Sequence, residues 1–282
     1  MCSEPIVVGA TLAVARGGCA TFAGDRKGRP YINIIMYKMW EIYKIMNIAA
    51  VMAHQDDELM CLGTMLKMKK SGNHLAFICL TDGAAGMAHL PDMPFDEAAK
   101  IREIEMKNLA SDINADYICL NRPDEYLYDT VELRIELIEA IRLVNADVIF
   151  THNTVDYNVD HMTTCLLVRQ CAMQAALPIQ KTKSAPIKST PAVFMTEPSG
   201  GFEFEPSHWV DITEVMEEKM RLAKYHKSQD DAFISAFGEG KGIDNWIAET
   251  SKKRGDQCGV KYAEAFLPMR ARGLVKAYSV LP

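Results

Sequence analysis

The sequence lacks an excess of positive charge. Its 31 Lys and Arg residues face 37 Asp and Glu residues, which gives a formal net charge of −6 at pH 7. A chain without a basic field has little to attract phosphate backbones or anionic lipid. We therefore expect no nucleic acid as a partner and no charged membrane surface.

Long apolar runs are also missing. No stretch reaches the roughly 18 uncharged apolar residues that span a bilayer, so we expect no stable membrane insertion. The segment from Pro5 to Ala15 has the length of a signal peptide, but Glu4 stands where a positive residue should precede it. The sequence therefore favours a cytoplasmic location.

The eight cysteines form no C-x-x-C pair and follow no regular spacing. This scatter argues against both a disulfide framework and a zinc knuckle. Cys79 and Cys119 lie inside the apolar runs FICL and YICL, where a thiol behaves as a small hydrophobic group. We predict reduced core cysteines, which again fits the cytoplasm.

From about residue 45 onward, short apolar runs alternate with amphipathic segments. This alternation is typical of repeated βαβ units and a parallel sheet. The predicted strands cover residues 47–53, 75–81, 116–120, 147–151 and 192–196. The predicted helices cover 58–71, 96–112 and 245–253, with others starting at Asp129, near His161 and around Thr213. The fold class is α/β, with a Rossmann-like, open and mostly parallel sheet covered by helices on both faces.

The 282 residues fit one catalytic domain with an appendage. Residues 1–44 contain several glycines around one short apolar run, and they are predicted to be an N-terminal extension. Residues 45–282 are predicted to form a single catalytic domain. No charge pattern or periodicity marks an interface, so a homo-oligomer stays open.

The first chemically informative cluster follows the first predicted strand. In open α/β sheets, sites form outside the carboxyl ends of the strands. His54 and Asp57 are three residues apart on the turn into a helix, close enough for both to bind one cation. Asp56 lies between them and is a candidate general base. Alone, the segment could equally be an acidic helix N-terminus.

A second cluster follows the fourth predicted strand and runs from His152 to His161. Two histidines and one carboxylate are a common ligand set for a catalytic zinc. His54, Asp57 and His161 supply such a set. Asp160 is expected either to orient His161 or a neighbouring group, or to cap the helix.

Together the two clusters resemble the LmbE-like or PIG-L N-acetylglucosaminyl deacetylases. AHQDDE differs at one position from that family's A-H-P-D-D-E motif, and DYNVDH is similar to its D-Y-H-P-D-H segment. Further similarities are the TDGAAG loop, Arg102 with Glu105, the HKSQ segment and the YAEAF segment. The resemblance covers roughly residues 46 to 270.

The resemblance implies one zinc ion per chain, bound by His54, Asp57 and His161, on a Rossmann-like fold. It also implies that Asp56 is the general base. Arg102 is expected to contact substrate hydroxyls or a headgroup, with an intrahelical pair to Glu105 as the alternative. His226 is expected to serve packing or capping.

Two positions depart from the family pattern. Gln55 replaces a proline, which we expect to loosen the turn. Asn158 replaces a histidine to which the family gives the role of stabilising the oxyanion or protonating the leaving amine. Asparagine donates a hydrogen bond but supplies no proton. His152 or Asp56 is therefore expected to deliver that proton.

The function expected from the resemblance is removal of an acetyl group from an N-acetylated amino sugar or its conjugate by a zinc-dependent hydrolase. Three alternatives stay open. The first is a related amidase acting on a small thiol or amide conjugate, and the second is a phosphoesterase with two metal ions. The third is a sugar-binding protein on the same fold that lacks catalysis.

Overall fold

The computed structural model describes residues 45–270, so the predicted extension at residues 1–44 lies outside the described residues. Within 45–270, seven strands form one sheet. The strands are β1 (Asn47–Met52), β2 (His74–Thr81), β3 (Asp116–Arg122), β4 (Val148–Thr151), β5 (Ala192–Thr196), β6 (His208–Asp211) and β7 (Ala263–Pro268). All five predicted strands are present.

The strand order is β3-β2-β1-β4-β5-β7-β6. The first five strands are parallel, and β7 runs antiparallel to both of its neighbours. In the centre, β1 pairs with β2 on one side and with β4 on the other. The prediction of a mostly parallel α/β sheet is confirmed.

Seven α-helices accompany the sheet within the described residues. They are α1 (Leu62–Lys70), α2 (Phe95–Asp112), α3 (Val131–Leu143), α4 (Val159–Gln174), α5 (Met216–Ala223), α6 (Lys227–Phe237) and α7 (Ile243–Cys258). Because successive strand residues face opposite sides, Ile48 packs in the core with α1 and α2, whereas Ala49 packs in the core with α3 and α4. Burial on both faces explains why the parallel strands read as continuous apolar runs.

The predicted helix over 58–71 is wrong at its start. The structure has a short 3₁₀ turn, Asp57–Met60, followed by the separate helix α1. The break lies at Cys61, whose φ of −131° is not helical, and Asp56, just before the 3₁₀ turn, has φ 110°, a left-handed conformation. A sequence pattern records side-chain polarity and carries no sign of such backbone angles.

Three elements were not predicted: β6, β7 and α6. β6 has only four residues and its sequence, HWVD, is largely polar. In β7 the buried Glu264 interrupts the apolar run. The buried residues of α6 are the polar Ser228 and Gln229, so the helix has no apolar stripe to detect.

Six cysteines fall within residues 45–270, and all six are free. Cys61, Cys79, Cys165 and Cys171 are buried, as predicted for core cysteines, whereas Cys258 is exposed. In the same residues, every helix is too short or too polar to cross a membrane.

Candidate metal centre

The candidate site lies where β1 and β4 pair at the centre of the sheet. From β1 the chain proceeds toward one edge, and it later returns to place β4 on the other side of β1. Such a reversal opens a crevice outside the carboxyl ends of the strands. His54 follows β1 and His152 follows β4, and both line a cavity of about 200 Å³ there.

The three predicted metal ligands come together in this crevice. His54 Nδ1 lies 3.2 Å from His161 Nε2, and Asp57 lies 3.2 Å from His54 Nδ1 and 3.3 Å from His161 Nε2. In a tetrahedral zinc site, bonds of about 2.0–2.1 Å place two ligand atoms about 3.3 Å apart. The spacing of the three side chains therefore fits an ion of this kind.

Each of the two imidazoles presents its other ring nitrogen to a carboxylate. Asp124 Oδ1 lies 2.9 Å from His54 Nε2, and Asp156 Oδ2 lies 3.0 Å from His161 Nδ1. A carboxylate at one nitrogen holds the ring proton there and directs the lone pair of the other nitrogen toward the centre. Facing lone pairs at 3.2 Å repel one another unless a cation lies between them, so this pattern also fits a metal.

Two further groupings of ligand atoms involve the same rings. One comprises His54, Asp124 and Asp160, and the other His152, Asp156 and His161. A neutral imidazole has only one lone pair, so neither ring can bind an ion through both nitrogens. The groupings are therefore alternatives to the central site, in which both rings share one centre with Asp57 while Asp124 and Asp156 stay behind the rings.

The carboxylates around the rings favour positive charge. Burial opposes protonation of His161, yet Asp57 and Asp156 outweigh burial and raise its pKa to about 9. Burial acts the same way on His54, but Asp124, Asp160 and Asp57 raise its pKa well above the ordinary value. A site that holds positive charge this strongly suits a divalent cation.

The adjacent carboxyls of Asp56 and Asp57 have pKa values shifted in opposite directions. Burial raises the pKa of Asp56, and Arg102 offsets only part of that effect. Asp57 is also buried, but His161 and His152 hold its pKa well below the ordinary value. Such a separation suits one permanently ionised ligand beside one group that exchanges protons.

A buried pair holds the backbone of Asp56. Glu58 Oε2 accepts the Asp56 N–H at 2.9 Å, and Glu58 Oε1 lies 2.7 Å from His226 Nε2. Glu58 is 1% exposed and His226 is fully buried. His226 was expected to serve packing or capping near a helix end. It is buried at the N-terminus of α6, and its ring lies behind the loop that carries the candidate base.

Arg102 lines the cavity, and one of its guanidinium nitrogens, Nη2, is already engaged. It lies 3.1 Å from Asp56 Oδ1 and also donates to the carbonyl of Gln55. The alternative pair with Glu105 is not formed, because Glu105 accepts from the N–H and Oγ of Ser228 at 2.8 and 2.6 Å. In the structure, Arg102 orients Asp56.

His152 is held as a neutral ring. Its Nε2 accepts the N–H of Ala53 at 2.9 Å, and its ring stacks on His161 with centroids 4.0 Å apart. Burial and the neighbouring His161 lower its pKa to about 4. An Nε2 that accepts a hydrogen bond carries no proton to donate, which weakens the expectation that His152 is the acid.

Asn158 caps α4 and lines the cavity. Its Oδ1 accepts from the N–H groups of Asp160 and His161 at 2.7 and 3.3 Å, so its Nδ2 amide is the group it can offer to a substrate. The cap also fixes the backbone at the ligand His161.

Asp160 does not reach the cavity. Its carboxylate accepts the N–H groups of Glu125 and Leu127 at 2.9 and 3.1 Å and lies 3.6 Å from His54 Nε2. Asp160 was placed among the residues of the catalytic site, and in the structure its side chain holds the loop that carries Asp124. Its predicted role of orienting a neighbouring group matches this placement.

Gln55 does not loosen the turn. Its side chain is fully buried, and Nε2 donates to the carbonyl of Thr81 and the hydroxyl of Tyr117 at 3.3 and 3.2 Å. These bonds tie the turn to β2 and β3. The rigidity that a proline gives through its ring is supplied here by side-chain hydrogen bonds.

Sequence reasoning missed Asp124, Asp156 and the role of Glu58. Asp156 lies within the second cluster, and Glu58 within the first, so both were near residues already singled out. Asp124 follows β3, and its position at another strand end was the available signal. The prediction did not use it because no histidine lies nearby in the sequence.

Comparison with known proteins agrees with this geometry. The model of one family, PIG-L, described as GlcNAc-PI de-N-acetylase, matches residues 49–172. That segment contains both clusters. The resemblance to the PIG-L family is confirmed over this segment. The PIG-L match ends within α4, so α5 to α7 and the antiparallel strands lie beyond it.

Relatives extend the similarity beyond the PIG-L segment. The chain is 26% identical over 190 residues to a diacetylchitobiose deacetylase from Thermococcus kodakarensis, covering 66% of this chain and 70% of that protein. The structure of an N,N'-diacetylchitobiose deacetylase from Pyrococcus horikoshii, complexed with an inhibitor, matches with a TM-score of 0.68 and 22% identity. That match covers 85% of this chain and 92% of the other.

The fold also hosts a different reaction. A 4-carboxy-2-hydroxymuconate hydratase from Pseudomonas putida matches with a TM-score of 0.70 and 19% identity, covering 83% of this chain and 99% of that one. The fold therefore does not identify the reaction, which depends on the side chains of the site.

Proposed function

We propose that this chain is a zinc-dependent hydrolase that removes an acetyl group from an N-acetylated amino sugar or its conjugate. The observation that carries the proposal is the convergence of His54 Nδ1, His161 Nε2 and Asp57 within 3.3 Å of one another, with Asp56 alongside in the same cavity. The similarity to a diacetylchitobiose deacetylase supports the substrate class.

His54, Asp57 and His161 would hold one zinc ion, leaving a position open for water. When bound, zinc supplies Lewis acidity, which polarises the acetamide carbonyl and lowers the pKa of water. Asp56 accepts a proton from the attacking water, for which its raised pKa is suited. The Nδ2 group of Asn158 donates to the carbonyl oxygen as negative charge develops.

Asp56 then returns the proton to the leaving nitrogen. The new carbon–oxygen bond forms acetic acid, which ionises to acetate by losing its proton to solvent, and the carbon–nitrogen bond breaks to leave the free amine. His152 keeps the ring of His161 in place by stacking and takes no proton. Arg102 keeps the carboxylate of Asp56 directed at the cavity through its 3.1 Å contact.

A phosphoesterase would need two ions about 3.5–4 Å apart. In the described residues, each of the other two groupings of ligand atoms shares the ring of His54 or of His161 with the central set, so an ion bound at the central set excludes both. One ion is therefore the favoured occupancy. The free state of the six described cysteines supports the cytoplasmic location proposed from the sequence.

The experiment that tests this function is metal analysis by mass spectrometry of protein purified without chelator. We expect about one zinc per chain, loss of zinc in His161→Ala, and acetate release from N-acetylated amino sugars by the wild type alone. His74→Ala is the matched control, because His74 begins β2 and pairs with Asp116 away from the cavity.

Protein that takes up no zinc would overturn the hydrolase mechanism. Two zinc ions per chain with phosphate release would favour the phosphoesterase. One zinc with sugar binding but no acetate release would leave the non-catalytic sugar-binding protein as the function.

A further inference from the structure

The cavity extends from the metal centre to an aromatic wall. Phe233 on α6 and Trp246 on α7 line the same cavity as His54 and His161, and their ring centroids lie 5.8 Å apart. We call this pair the aromatic wall. Both rings lie outside the segment matched by the PIG-L family, so they belong to the part of the chain that the shared motifs do not cover.

Packing alone does not account for the aromatic wall. Trp246 packs partly against the core on the face of the sheet that contains Ile48. Both rings nevertheless remain only half-buried, and both line the cavity. Phe237, one turn further along α6, is 62% exposed and does not line the cavity. The two wall residues thus differ from their neighbour by presenting apolar surface to the space beside the metal centre.

The charges around the cavity limit what can bind there. Its described lining includes six carboxylates: Asp56, Asp57, Asp124, Glu125, Asp156 and Glu197. Apart from the histidines, the cationic residue in that lining is Arg102, whose guanidinium already contacts Asp56. Glu197 is paired with Arg254 at 2.6 Å. A phosphate group beside the reacting sugar would meet these carboxylates and no accessible cationic side chain, because Arg102 is only 1% exposed.

Aromatic rings next to carboxylates and amides form a lining suited to sugars. The face of a pyranose ring carries C–H groups, which pack on the negative face of an aromatic ring, while its hydroxyls donate to carboxylates and amides. Gln229 and Glu197 lie in the same lining and offer such polar groups.

We propose that Phe233 and Trp246 form a subsite for an uncharged pyranose ring linked to the reacting amino sugar. This inference rests on the proposed deacetylase function and makes it narrower. The favoured substrate is a neutral glycan of at least two rings, and a phosphate-linked amino sugar is disfavoured.

The test compares acetate release by the zinc-loaded protein from three probes: N-acetylglucosamine, its β-1,4-linked disaccharide and N-acetylglucosamine 1-phosphate. We expect KM for the disaccharide to be about tenfold below that for the monosaccharide, and the phosphate to be the poorest substrate. Phe233→Leu and Trp246→Leu keep apolar volume but remove the flat ring. Each should raise KM for the disaccharide by about tenfold and lower kcat/KM for the monosaccharide by a clearly smaller factor.

Phe95→Leu is the matched control, because Phe95 is exposed at the start of α2 and lies outside the cavity lining. It should leave both substrates unaffected. Equal efficiency on the monosaccharide and the disaccharide would overturn the subsite, as would an equal loss on both in the leucine variants. Preference for the phosphate would overturn it as well.

Failure to release acetate from any probe would contradict the proposed function rather than the subsite. Calorimetric titration with the disaccharide then tests the subsite directly. Weaker binding by Trp246→Leu supports the subsite, and unchanged binding overturns it.

Discussion

The parallel part of the sheet and its antiparallel edge contribute differently to the site. Side chains that follow β1, β3 and β4 supply the candidate metal ligands and the carboxylates behind them. The edge, formed by β6, β7 and helices α5 to α7, supplies none of the candidate ligand groupings among the described residues. Its side chains instead reach back to the turn at Asp56 and to the cavity wall. The candidate ligands thus lie at the ends of the parallel strands, whereas side chains that hold their surroundings in place come from segments far away in the chain.

The support from the edge is clearest at the start of α1. Glu264 on β7 accepts the N–H groups of Gly63 and Thr64 at 2.8 and 2.7 Å and pairs with Lys219 at 2.8 Å. A side chain at Gly63 would collide with this carboxylate, since an added Cβ would lie 2.8 Å from it. The carboxylate satisfies helix N–H groups that have no intrahelical partner.

The largest expected effect is a loss of activity, and it comes from a substitution in the parallel part of the sheet. Asp56→Asn should lower kcat for acetate release by about 10²–10⁴-fold, because the amide accepts no proton from water. Zinc content should stay at the wild-type level, since His54, Asp57 and His161 are unchanged. Steady-state kinetics and metal analysis of the same preparation check both expectations.

A matched control for this variant is Asp112→Asn. Asp112 also pairs with an arginine, Arg221, but on the surface and outside the cavity. It should leave kcat unchanged. A rate for Asp56→Asn within tenfold of the wild type would contradict the assignment of the base.

The next effect is a loss of stability, and it comes from a substitution in the antiparallel edge. Lys219→Met leaves Glu264 buried without its cation, which should lower the free energy of unfolding by about 3–5 kcal/mol. Zinc content of the folded protein should remain about one per chain. Urea unfolding followed by circular dichroism measures the change.

The control for the edge is Lys227→Met, which removes an exposed pair with Asp231 and should leave stability unchanged. If Lys219→Met also leaves stability unchanged, the edge does not support α1 in the way the geometry indicates.

The smallest expected effect on activity comes from the cysteines. Burial raises the pKa of Cys61 and Cys79 well above the ordinary value and that of Cys165 and Cys171 to about 12. A raised pKa keeps these thiols protonated and unreactive at neutral pH, and reactivity appears only as the pH rises. Iodoacetamide at neutral pH should therefore modify the exposed Cys258 and spare all four.

Peptide mapping by mass spectrometry identifies the modified thiols, and acetate release should be retained. Inactivation that tracks modification of Cys61 or Cys79 would contradict this expectation, and it would mean that activity needs a thiol in the parallel part of the sheet.

Much of the fold and of the candidate site was predictable from the sequence. The five parallel strands are short continuous apolar runs because both of their faces are covered, and each run ends where the polar clusters begin. His54, Asp57 and His161 were predicted as one ligand set because the carboxyl ends of parallel strands lie at the same edge of the sheet.

The less predictable features depend on contacts between residues far apart in the chain. Asp124 faces His54, His226 faces Glu58, and Glu264 faces Gly63, at separations of 70, 168 and 201 residues. Such contacts follow no period in the sequence. The left-handed backbone of Asp56 is a local feature, but its hydrogen bond to Glu58, two residues away, likewise follows no period of side-chain polarity.

By itself, the sequence determined which segments form the parallel strands and which chemical groups follow them, since both depend on local residue types. Tertiary structure decided which nitrogen of each imidazole faces the centre, because Asp124 and Asp156 approach the opposite nitrogens. It also decided that Phe233 and Trp246 line the same cavity as the candidate ligands, because α6 and α7 are far from those ligands in the chain and meet them only in the folded protein.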